Sequence, residues 1–125
     1  MSWTRTLIAA FAAGRLAFGA GLVAAPERVA SGWIGDDASR DPVKIVTRGL
    51  GARDIALSAG VLAFMDDEDT VASLLCFTAV CDLCDVAATL AAPAGSLPGN
   101  ARWGTVAMAG GAAAAGAALA VAVKR

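Results

Sequence analysis

Apolar residues fall into long runs separated by short polar breaks, and the runs recur four times at about residues 3–25, 42–65, 70–92 and 103–123. A helix rising ~1.5 Å per residue needs about 20 such residues to cross ~30 Å of hydrocarbon. The pattern therefore predicts an all-α chain, a bundle of four transmembrane helices in up-down-up-down order, forming one integral membrane domain over residues 1–125. The soluble alternative is an Ala-rich four-helix bundle. The last run disfavours it, because Gly104 to Val123 carries no charge on any face and a surface helix needs a polar stripe.

The breaks are equally readable. Ser2 is a candidate N-cap for the first segment, and Pro26 stops it. The longest connection, Pro26 to Asp41, opens with Pro-Glu-Arg, which suits a short interfacial helix anchored by Trp33 at headgroup level. Asp41-Pro42 reads as N-cap and first turn of the second segment. Asp66 to Asp69 spells DDED, a tight wet turn whose last acids sit at the next helix N-terminus, where the dipole favours them. The same tetrad has the composition of a Ca²⁺ site, but no further ligand pattern accompanies it, so the solvated cap is preferred. Pro93 to Asn100 is a Pro/Gly/Ser connector. Trp3, Trp33 and Trp103 all fall at expected interfaces. The first run continues past the length of a cleavable signal and is interrupted by Arg15, so a retained helix is expected. Small residues recur every four positions at Ala112, Gly116 and Ala120, and at Ala52, Ala56 and Gly60, which predicts close helix packing along those stripes.

Composition sharpens the membrane reading. The chain is 58% hydrophobic, above the 45–50% typical of soluble proteins. Its net charge of −1 gives no basic patch for nucleic acid. There is no His and no Tyr, which removes imidazole bases, His metal ligands and Tyr nucleophiles. Three Cys in one apolar run, Cys76, Cys81 and Cys84, do not describe a disulfide framework. Cys81-Asp82-Leu83-Cys84 has C-x-x-C spacing, but mid-helix it reads as packing thiols.

The candidate chemistry is six ionisable residues inside the apolar runs: Arg15, Arg48, Arg53, Asp54, Asp82 and Asp85. A charge at mid-bilayer costs ~2.5–3.5 kcal/mol on insertion scales, so each needs a partner. The second run, Val43 to Met65, holds three of them and organises the rest. Three positive and three negative groups form a balanced set. Matching depths along antiparallel helices pairs Arg48 with Asp85, and Arg15 or Arg53 with Asp82 and Asp54. Because Asp54 points about 100° away from Arg53 around the helix, Arg53 with Asp82 and Arg15 with Asp54 are favoured. Two readings stand side by side: a structural salt-bridge core, and a polar cavity that binds a small group or relays an ion. Asp82-x-x-Asp85 has carboxylate spacing for Mg²⁺, but the arginines compete for the same oxygens.

In GRLAFGAGLVAAPERVASGWIG, followed by TRGLGARDIALSAG, the chain resembles a family of small four-helix integral membrane proteins typical of actinobacteria and without assigned function. The likeness covers about residues 14 to 90, and its most specific part is R-x-L-G-x-R-D, here Arg48 to Asp54. It implies a fold and a cell-membrane, multi-pass location and no chemistry.

Three functions follow as expectations. The first is a binding or accessory membrane component working in the lipid bilayer, within a homo-oligomer or a larger membrane complex. The second is a small oligomeric transporter or channel, for which a near tie in flanking cations between the two sides leaves orientation open. The third is an enzyme using Asp82 or Asp85 as acid or metal ligand. No catalytic motif, cofactor site or metal site is expected.

Overall fold

The structure is a computed structural model that describes residues 2–125. Helices α1 (Trp3–Ala24), α2 (Pro26–Ile34), α3 (Asp41–Ala63), α4 (Glu68–Ala91) and α5 (Ala101–Ala122) follow in order, with a 3-10 turn at Gly35–Ser39 between α2 and α3. No strand occurs among the described residues.

The helix ends follow local chemistry. Ser2 Oγ accepts from the Arg5 amide at 3.2 Å and caps α1. Pro26 opens α2 at a position that needs no amide donor. Gly35 ends α2 with φ +71°, which a Cβ would resist. Asp41 does not cap α3 as expected. Arg40 holds the extended N-cap position without a side-chain bond, and Asp41 is the first helical residue, where its charge meets the dipole. Asp67 caps α4, accepting from Thr70 N at 3.1 Å and Thr70 Oγ at 2.7 Å. The Thr70 bonds hold its carboxyl below the usual carboxylate range.

The acidic turn is divided between caps and latches. Asp66 pairs with Arg5 of α1, and Asp69 pairs with Lys124 beyond α5. Bonding and attraction to Asp69 hold the Lys124 ammonium above its ordinary value. The start of α1, the end of α5 and the α3–α4 turn therefore share one end of the molecule. At the other end, Arg102 donates to the carbonyls of Thr89, Leu90, Ala92 and Pro93. These carbonyls lie in the last turn of α4 and just beyond it, where helical partners run out.

α1 lies antiparallel along α3, and α4 antiparallel along α5. The α1–α3 contact is backbone on backbone. A Cβ on Gly19 would stand 2.7 Å from Gly51 O, and one on Gly51 would stand 2.6 Å from Gly19 O. Of the expected stripe, Ala52 and Ala56 face outward, while Gly60 is half-buried against Leu74. The buried face of α3 is Thr47, Gly51, Asp54, Ser58 and Val61, because the charge at Asp54 dictates which side turns inward. On α5 the small residues behave as anticipated: Gly116 and Ala120 are buried, Gly116 against Leu75, Ala79 and Phe11.

Three layers stack along the molecule. An apolar core of Ile8, Ala12, Val61, Val71, Leu75 and Ala120 fills the end near the acidic turn. A charged layer follows, and a pocket under α2 completes the stack.

Beside this apolar core, polar side chains are buried and large apolar ones are exposed. Thr47, Asp54, Ser58, Thr78, Asp82 and Thr89 are buried, while Ile45 is 71% exposed, Val46 72%, Phe77 61% and Leu83 55%. The Thr47, Thr78 and Thr89 hydroxyls donate to the carbonyl four residues back, which spares them other partners. Helices α1, α4 and α5 are long and apolar enough to cross a membrane. α3 has the length, but Arg48, Arg53 and Asp54 crowd its middle, so composition alone does not mark it as a fourth span.

Candidate functional site

The charged layer is built on three helices. Arg15 comes from α1, Arg53 and Asp54 from α3, Asp82 and Asp85 from α4. Arg15 Nη1 donates to both oxygens of Asp82, at 2.8 and 2.9 Å, and Nη2 to Asp54 Oδ1 at 3.1 Å. Arg53 Nη2 donates to Asp85 Oδ2 at 2.9 Å, with Nη1 on Oδ1 at 3.4 Å. The same guanidinium meets Asp54 Oδ1 at 3.3–3.4 Å through Nη2 and Nε. Asp54 thus joins the two arginines into one chain, Asp82–Arg15–Asp54–Arg53–Asp85. Asp82 is 3% exposed and Asp54 4%. Phe11, one turn from Arg15, offers its ring 5.9 Å from the guanidinium, within cation–π range. Arg15 Nε and Ser58 Oγ are buried without a hydrogen-bond partner among the described residues.

The expected pairing survives for Arg15 with Asp54 and changes elsewhere. Arg53 meets Asp85, and Asp82 goes to Arg15. Arg48 leaves the set altogether: its Nε donates to Val23 O at 3.2 Å. Val23 sits in the last turn of α1, where carbonyls lack helical partners and the dipole favours a cation. A helix-end carbonyl thus takes the place of the expected carboxylate partner.

Losing Arg48 unbalances the layer. With all five groups ionised, two guanidiniums face three carboxylates and leave the cluster one negative charge in excess. Both oxygens of Asp82 and both of Asp85 lie against guanidinium N–H groups, which compete with a divalent metal for the same oxygens. Cys76 and Cys84 lie on the exposed side of α4 rather than in its packing, and all three thiols are free.

A pocket of about 530 Å³ opens beside the cluster. α1 and α5 meet where Phe11 packs near Gly116 and part toward α2, and the pocket occupies the gap. Phe18, Leu22, Leu50, Val29, Ala109 and Ala112 supply apolar wall. Arg15, Asp54, Asp82 and Asp85 form its polar side. Trp33 closes the α2 end; its Nε1 donates to Thr89 Oγ at 3.2 Å, so it is an inward strut rather than only a surface anchor. Gly14, Phe18, Gly104 and Met108 mark an exposed rim. A Cβ on Gly14 or Gly104 would meet nothing within 4 Å, so these glycines help keep the space open.

No family model, curated protein or solved structure matches this chain.

Proposed function

We propose that the protein is a multi-pass membrane protein with four crossings, α1, α3, α4 and α5 in up-down-up-down order, and that it binds a small amphipathic molecule in the pocket beneath α2. The carrying observation is the pocket itself: apolar walls meet one buried ionic side made of Arg15, Asp54, Asp82 and Asp85. Its size falls within the ~300–1,000 Å³ usual for ligand sites, and a few convergent polar groups among apolar walls are their usual lining. Intramembrane charges commonly mark such sites. α3 joins the crossings because its charges face partners on α1 and α4 while Ile45 and Val46 face outward.

Two measurements test this reading. In a background with Cys76, Cys81 and Cys84 replaced by Ala, cysteines placed at Asp67 and Ser96 should label from opposite sides of the membrane. Labelling from one side overturns the four crossings. A panel of small amphiphiles should raise the melting temperature of the detergent-solubilised protein, and Gly104→Leu, which fills the pocket from its rim, should remove the shifts. Equal shifts in both proteins would place binding elsewhere.

A further inference from the structure

The pocket's charged side is one positive charge short. Arg15 and Arg53 face Asp54, Asp82 and Asp85. Of the other cations in this half of the molecule, Arg28 on α2 is exposed and pairs with no carboxylate among the described residues, and Arg40 pairs with Asp37. Arg48 lies on Val23 O, Lys44 on Glu27, and Arg102 on the last carbonyls of α4. The shortfall has an address. Asp54 Oδ1 takes all three contacts from the two arginines, while Asp54 Oδ2 accepts no hydrogen bond among the described residues. The Asp54 side chain is 5% exposed and lines the pocket. A carboxylate oxygen with open lone pairs in a residue that lines the pocket is free to accept from a donor that occupies it.

Resting on the pocket reading above, we propose that the ligand is an amphipathic monovalent ammonium whose N–H donates to Asp54 Oδ2 and whose apolar body fills the space between α1 and α5. The added positive charge brings the layer to neutrality. A Ca²⁺ or Mg²⁺ ion would find the Asp82 and Asp85 oxygens already accepting from the arginines and mostly hydrocarbon around them, short of the six or more oxygens that such ions gather. An anionic head would meet the same excess negative charge and be repelled. A neutral head would leave that excess uncompensated.

Three probes with one apolar body isolate the head group: 1-adamantylammonium, 1-adamantanol and 1-adamantanecarboxylate, at neutral pH. Binding is read from Trp33 fluorescence in the 125-residue chain carrying Trp3→Phe and Trp103→Phe, neither of which lines the pocket. The ammonium should bind about tenfold or more tighter than the alcohol, as hydrogen bonds to charged groups warrant, and the carboxylate weakest. Asp54→Asn should reduce the ammonium to the level of the alcohol. Gly104→Leu should weaken all three alike.

The ranking in the otherwise unaltered protein needs no change at Asp54, so a poorly folding Asp54→Asn does not block the test. Equal binding of ammonium and alcohol there, with both lost in Gly104→Leu, overturns the cationic ligand and leaves the pocket standing. Binding of none of the probes, or binding indifferent to Gly104→Leu, overturns both.

Discussion

Arg15→Leu should be the most damaging single substitution in the chain, costing about 3–5 kcal/mol of stability, the range for breaking a buried pair from one side. Arg15 is the residue on which Asp82 depends for both oxygens, and Asp82 is almost wholly buried. Removing the guanidinium strands that charge, whereas Asp54 retains Arg53. The double variant Arg15→Leu with Asp82→Leu should recover much of the loss, because apolar groups in place of a whole buried pair are often close to neutral. Thermal unfolding in detergent across the double-mutant cycle measures the coupling. Simple addition of the two single losses would show that the 2.8 Å contact contributes nothing. Arg53 and Asp82, which share no contact, should couple far less than Arg53 and Asp85.

Gly49 and Gly51 should respond in opposite directions to the same change. A methyl at Gly49 meets nothing within 4 Å, so Gly49→Ala should stabilise the helix by up to about 1 kcal/mol. A methyl at Gly51 would stand 2.6 Å from Gly19 O and 2.8 Å from Leu22 Cβ, and the obstacle is backbone. α1 and α3 must then separate, at a cost of about 1–3 kcal/mol or more, and the Arg15–Asp54 contact spanning the same pair should loosen with them. Melting temperatures of the two variants decide the matter. A shift of the same sign in both would remove the close-approach argument.

How far the sequence carries a reader differs from residue to residue. The helices were legible from run length and from Pro26, Pro42 and Pro93, since these features act locally. The meeting of Arg15 with Asp54 was legible from depth, because antiparallel neighbours put mid-span residues at one level. Arg48 was not, because its partner is a carbonyl of Val23, and carbonyls carry no mark in a sequence. The inner face of α3 was misread from Ala52 and Ala56. A small side chain suits a lipid-facing position as well as a packed one, whereas a buried Asp54 fixes the rotation of the whole helix. The pocket was beyond reach: it exists because α1 and α5 part after Phe11 and Gly116, and because Gly14 and Gly104 lack side chains to fill the gap.

The long sequence separations inside the charged layer bear on how the chain is made. Asp54 lies 39 residues after Arg15, and Asp82 lies 67 after it. At about 5–20 residues per second of synthesis, on the proposed membrane placement, Arg15 waits several seconds for its first carboxylate and longer for its second. A nascent chain halted after α3 holds Arg15, Arg48 and Arg53 against Asp54 alone, and one halted after α4 has gained both missing acids. Truncation after residue 66 should therefore give a product cleared from the membrane faster than truncation after residue 98. Equal half-lives in a pulse-chase experiment would show that the insertion machinery, and not the chain's own carboxylates, shelters the early arginines.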